Sequence, residues 1–281
     1  MTPPAARFGA RLAAAMAQFG PVCVGIDPHP ALLGAWGLDD DGPGLERFGR
    51  TVVEAAAGHA AAVKPQSALF ERRGVAGVAA LAAVLRAARE AGILAILDVK
   101  RGDIGSTMAA YAEAYLADGA DLAADAITVS PFPGFDSLAP ALDLAEETGR
   151  GVFVLALTSN PSGPEVQHAR GADGRTVAAA IAEGVARRNR QHRPLGDIGL
   201  VVGATVGDGV ERAGIDLAGL GGPILAPGFG AQGAGRDEVR RIFAPVIGHV
   251  VVASSRAILA AGPQSGRIRD AIIGMREDLR L

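Results

Sequence analysis

Ile93-Leu94-Ala95-Ile96-Leu97-Asp98-Val99-Lys100-Arg101-Gly102-Asp103-Ile104 runs from five apolar residues straight into charges of alternating sign. The apolar half reads as a buried strand, and the charges stand where that strand ends. Side chains alternate faces along a strand, so Asp98 and Lys100 project to one side. Asp103 lies just past the strand, where a loop can turn it back, and the three charges are expected to converge on one small volume. Packing carboxylate, ammonium and carboxylate together is costly unless each charge is paired or used, and such clusters are where protonation is tuned for chemistry. Taken alone, the triplet also fits a solvated ion network closing the rim of a barrel.

Working outward, seven further runs share this form: Val22–Asp27, Ala61–Pro65, Ala126–Ser130, Val152–Ser159, Leu200–Thr205, Ile224–Pro227 and Val250–Ser254. Alanine-rich segments with apolar residues at helical spacing lie between them, such as Gly77 to Glu90 and Thr107 to Asp118. Strand and helix in alternation imply a parallel sheet, and eight such units favour an α/β fold of one closed (β/α)8 TIM barrel over an open, doubly wound sheet. The longest connection, Asn160 to Ile198, holds a charged helix around Ala178 to Arg190 and is expected to be a partly ordered insertion between strands 5 and 6. No Pro/Ser linker or low-complexity tract divides residues 1–281, so a single domain is expected.

Barrel active sites collect at the C-terminal ends of the strands. Asp27 ends the first run, Lys64 lies at the end of the second, Asp98 and Lys100 close the third, Ser159 ends the fifth, and Ser255 with Arg256 follow the eighth. A lone strand-end lysine is ordinarily a rim salt bridge, but several such positions facing one mouth are not so explained. The loop Ala226-Pro227-Gly228-Phe229-Gly230-Ala231-Gln232-Gly233 follows the seventh run, where barrels bind phosphate through backbone N–H groups. As a bare sequence it also fits a tight turn. Together with Arg256, whose guanidinium can grip a phosphate bidentately, it favours a phosphate monoester.

Composition excludes other chemistries. A net charge of −3 gives no reason to expect nucleic acid or an anionic membrane surface. No apolar run reaches the roughly 20 residues needed to span a bilayer. The one cysteine, Cys23, lies in an apolar run and is expected to be a buried structural thiol, in keeping with a reducing cytoplasm. The five histidines have no metal-ligand spacing and are expected to be surface or packing residues. Neither a nucleophile elbow nor a dinucleotide or nucleoside triphosphate motif is present.

These residues carry a resemblance. The chain is similar to the orotidine 5′-phosphate decarboxylase family, whose members make UMP in pyrimidine synthesis, through Gly25-Ile26-Asp27-Pro28, Val63-Lys64-Pro65, Asp98-x-Lys100-Arg101-Gly102-Asp103-Ile104, Pro227-Gly228-x-Gly230-Ala231-Gln232-Gly233 and Arg256. Thr158-Ser159-Asn160-Pro161 and the long fifth-to-sixth connection resemble the longer bacterial subgroup. The resemblance implies that Lys100 protonates C6 of the pyrimidine as CO2 leaves, with Asp98 against the substrate carboxylate. Lys64 and Asp103 would complete a Lys-Asp-Lys-Asp array, Asp103 and Thr107 reaching a neighbouring subunit's site in a homodimer. Asp27 and Lys64 would contact the ribose, Ser159 the pyrimidine, and Gln232, Arg256 and backbone amides near Gly233 and Ser255 the phosphate. No metal and no organic cofactor is implied. Two rivals remain: a magnesium-dependent sugar-phosphate decarboxylase or aldolase of the same superfamily, which presents an acidic residue where this chain has Lys64, and a non-catalytic phosphate-binding barrel.

Overall fold

Eight parallel strands pair in chain order, and the last returns to the first to close the barrel. They are β1 Val22–Ile26, β2 Ala62–Pro65, β3 Leu94–Arg101, β4 Ala126–Val129, β5 Gly151–Leu157, β6 Ile198–Val202, β7 Ile224–Pro227 and β8 Val250–Ser254. The computed structural model describes residues 6–230 and 235–279. This is the (β/α)8 barrel that the strand-helix alternation implies. The strand positions expected from sequence hold to within two or three residues. β6 departs most, running Ile198–Val202 and so ending three residues before the expected Thr205.

Two apolar layers follow from the alternation of side chains. Outward-facing residues such as Val24, Leu97 and Ile127 pack against the surrounding helices. Inward-facing Cys23, Ala62, Ile96, Ala126, Phe153 and Val251 fill the barrel itself, and burial pushes the Cys23 thiol up to about 12, so it stays neutral and serves packing.

The filling is completed from outside the barrel. The helix Phe8–Phe19 lies across the N-terminal end and inserts Phe8 and Leu12, both fully buried, into the inner layer. Phe8 meets Phe153 edge to face, with ring centroids 5.9 Å apart. Glycine at 151 is required by this approach, since a Cβ there would stand 2.2 Å from the Phe8 ring. Two carboxylates fix the helix in place: buried Asp197 accepts from Arg7 Nε at 2.5 Å and from the Gly9 N–H at 2.8 Å, and half-buried Asp125 pairs with Arg11 while its other oxygen accepts the Ala95 N–H at 2.9 Å.

The connection between β5 and β6 is more regular than a partly ordered insertion. Its second half, the helix Val177–Asn189, packs on β5 and β6 and is the barrel's own helix at this position. Thr176 caps it, accepting the Ala179 N–H at 3.0 Å and donating to Ala213 O at 2.5 Å. The added chain is thus the stretch from Thr158 to Thr176, containing the short helix Gly163–Gln167. Among the described residues no helix is long and apolar enough to cross a membrane.

Because Phe8 closes the barrel floor from a separate element, Phe8→Ala leaves a cavity that the strands cannot collapse to fill. It is expected to cost about 3–5 kcal/mol in urea unfolding, and unchanged unfolding would show that the helix is not integral to the core.

Candidate active site

β3 does not end as an ordinary strand. Its register against β4 runs Ile96 to Ala126 and Leu97 to Ile127, then jumps so that Arg101 faces Val129. Asp98, Val99 and Lys100 thus oppose Thr128 alone, a bulge that aims side chains at the mouth. Lys100 takes a left-handed backbone with φ +46°, a conformation costing on the order of 1 kcal/mol or more for a residue with a Cβ.

Asp98, 9% exposed, is the centre of the resulting cluster. Its Oδ2 accepts from Lys64 Nζ of β2 at 2.8 Å, and its Oδ1 accepts from Lys100 Nζ at 2.5 Å and from Thr128 Oγ1 at 2.8 Å. In the amide orientation that satisfies both ends of Gln66, Nε2 donates to Asp98 Oδ2 at 2.9 Å and to its backbone carbonyl at 3.1 Å. The carboxylate therefore has donors on both oxygens, two of them charged. Burial disfavours its charged form, but Lys64 and Lys100 more than reverse this and hold the carboxyl well below the usual carboxylate range. Burial likewise opposes the Lys64 ammonium, and Asp98 and Asp27 overcome it, so Lys64 is raised and stays charged. The lysines differ in access. Lys64's side chain is 9% exposed, whereas Lys100's is 44% exposed and faces the cavity.

That cavity, about 330 Å³, occupies the C-terminal mouth of the barrel. Leu155, Val201 and Leu225 form an apolar floor beside the charged cluster. Across the mouth, Pro227 ends β7 and Gly228 and Gly230 turn the chain with φ 108° and 76°. Ser254 Oγ donates to Phe229 O at 3.3 Å, tying this loop to β8. Arg256 opens a short helix, lines the same cavity, and its side chain bonds no described residue. Two buried polar atoms on the cavity lining, Asp27 Oδ1 and Ser255 Oγ, also lack a protein partner, which leaves them free for a ligand. Gly25 keeps these two groups close, since a Cβ on it would stand 2.7 Å from the Ser255 Cβ.

Residues 20–271 match the model of the orotidine 5′-phosphate decarboxylase / HUMPS family. This chain belongs to that family. It is 55% identical to an orotidine 5′-phosphate decarboxylase of Salinispora arenicola over 273 residues, 97% of each chain, and 56% identical to one of Streptomyces coelicolor over 94% of each. Among solved structures it superposes on a Streptomyces avermitilis protein described as an orotidine 5′-phosphate decarboxylase with a TM-score of 0.94, 53% identity and coverage of 98% of this chain and 95% of that one. The OMP decarboxylase of Leishmania donovani gives a TM-score of 0.76 at 29% identity, with 97% of each chain covered.

Within this family frame, the structure gathers Asp27, Lys64, Asp98, Lys100, Ser159, Pro227, Ser255 and Arg256 around one cavity. Gln232 and Gly233 lie outside the described residues. Asp103 and Thr107 do not join them. Asp103 Oδ1 accepts its neighbour Ile104's N–H at 2.8 Å and stays off the cavity, and Thr107 is exposed on the helix Gly105–Leu116, so the convergence of three charges takes place in this chain for Asp98 and Lys100 alone. The residue before Ser159 is held by the added segment: Gln167 accepts the Thr158 N–H at 3.0 Å and donates to Thr158 Oγ1 at 2.6 Å. Sequence reasoning passes over Gln66, Thr128 and His29, all on the cavity lining. The available signals are position only: Gln66 follows Val63-Lys64-Pro65, and Thr128 is the one polar residue of Ala126–Val129.

Asp98 titrates lower in the folded chain than the ordinary value of about 3.9, so protonation favours unfolding. Its stabilising contribution is complete above about pH 4 and is lost as pH falls further. Melting temperature should therefore fall more steeply below that pH in the wild type than in Asp98→Asn, and parallel curves would show that the carboxylate is not held as described.

Proposed function

We infer that this chain decarboxylates orotidine 5′-monophosphate to UMP and CO2, the closing chemistry of UMP formation in pyrimidine biosynthesis. The observation that carries the reading is the Lys64–Asp98–Lys100 array on one rim of a cavity whose other rim offers Pro227, Ser255 and Arg256. Breaking the bond between C6 and its carboxylate leaves an electron pair on C6. Lys100 delivers a proton there as CO2 departs, then regains one from water. Asp98 cannot escape substrate charge by protonating, since two ammoniums hold it ionised, so it opposes the substrate carboxylate in the ground state and ceases to do so once CO2 has left. Lys64 and Asp103 hold Lys100 cationic and oriented within the array, and its preset ammonium stabilises the developing carbanion without reorganisation.

Remote groups complete the reading. Asp27 and Lys64 take the ribose hydroxyls, Ser159 the pyrimidine edge, and Arg256 with Gln232 and the amides near Gly233 and Ser255 the phosphate, whose binding energy supports catalysis at the ring. These roles need neither metal nor organic cofactor. Asp103 and Thr107 serve the partner's site in a homodimer. Their place off this chain's own cavity supports that, as do Ile104 and Phe132, 62% and 83% exposed on the adjacent loops after β3 and β4, which offer apolar surface for a subunit contact. A cytoplasmic location accords with a single, buried cysteine.

Purified protein with orotidine 5′-monophosphate and EDTA is expected to form UMP, and Lys100→Ala to abolish it. No turnover by the wild type would overturn the reading in favour of the magnesium-dependent sugar-phosphate enzymes or a binding barrel. Shared sites give a second test. Lys100→Ala and Asp103→Asn, each inactive alone, should on mixing and exchange recover about one quarter of wild-type activity, because half the dimers are mixed and each has one intact site. Failure to recover would assign Asp103 to its own chain or to no site.

A further inference from the structure

Among the described residues Lys100 is the one non-glycine with positive φ, and the interaction that faces this backbone comes from a side chain. At the bulge the ladder offers Lys100 N–H no strand carbonyl, and Thr128 Oγ1 of β4 accepts it at 3.0 Å. The same hydroxyl, 1% exposed at its residue, donates its proton to Asp98 Oδ1 at 2.8 Å, the oxygen that also receives Lys100 Nζ. One hydroxyl thus uses a lone pair on the acid's main chain and its hydrogen on the acid's counter-ion. Gln66 differs: it bonds the other carboxylate oxygen and has no bond to Lys100.

We propose that Thr128 is a positioning residue for the decarboxylation, coupling the left-handed backbone of Lys100 to the carboxylate plane of Asp98 so that the ammonium is aimed at C6. The inference rests on the reading of function given above. Without the hydroxyl, the Lys100 N–H is left without its acceptor, the backbone has no reason to keep its strained form, and the ammonium moves with it. Misplacement of a reacting group by an ångström costs about 10²-fold in rate.

Thr128→Val keeps the shape and removes the hydroxyl, whereas Thr128→Ser keeps the hydroxyl and loses a methyl group. Positioning predicts that kcat for orotidine 5′-monophosphate falls about 10²-fold in the valine variant with KM and inhibition by UMP little changed, and that serine restores most of it. Packing predicts the reverse order, valine active and serine impaired, and that outcome would overturn the proposal. If the valine variant does not fold, Thr128→Ala against Thr128→Ser makes the comparison, since both lose the methyl group and alanine alone also loses the hydroxyl. A wild type that forms no UMP in the same assay would overturn the reading of function and this inference together, while an active wild type with equally active valine and serine variants would overturn the inference alone.

Discussion

A carboxylate buried at 9% exposure constrains everything around it. Asp98 is tolerable there because each oxygen is matched by one ammonium and one neutral donor, and the donors come from both adjacent strands as well as its own. Lys64 must reach from β2, Thr128 from β4, and β3 must bulge for Lys100 to turn back on its own strand. The strained Lys100 backbone is therefore one facet of a network in which no member keeps its geometry alone.

The two ends of the barrel carry opposite assignments. At the N-terminal end apolar side chains are completed by Phe8 and Leu12, and Asp197 and Asp125 fix the helix that carries them. At the C-terminal end the filling stops at Leu155, Val201 and Leu225, and above them opens the cavity on whose lining Asp27 Oδ1 and Ser255 Oγ stand without a protein partner. The charged array on β2 and β3 and the loop and arginine of β7 and β8 stand on separate strands, so a ligand touching both must span the mouth. Rigid strands then set the separation between the anion-holding end and the reacting end, and loops refine it.

Most of this was legible in sequence wherever cause and effect were close along the chain. Each strand is an apolar run that turns polar at its end, and the strand-end residues Asp27, Lys64, Asp98, Lys100 and Arg256 could be placed at one mouth by counting alone. What depends on distant pairing was not. A threonine in a strand is ordinary, and Thr128 acquires its role only because its neighbour bulges opposite it. Nothing local announces the left-handed backbone at Lys100, since glycine, the usual signal, is absent there. Phe8 reads as one apolar residue on a short helix until Phe153 and Gly151 are placed beneath it. Asp103 looked convergent because spacing limits reach without fixing direction.

The helix that plugs the barrel is made before any strand it plugs. Phe8 leaves the ribosome ahead of Phe153 and Gly151, and Arg7 ahead of Asp197, so throughout most of synthesis the plug has no seat. Contacts of such sequence separation form late and slowly, which makes the docking of this helix a marker of a finished barrel. Until then an amphipathic segment with Phe8 and Leu12 on one face stays available to any other apolar surface, including that of another nascent chain.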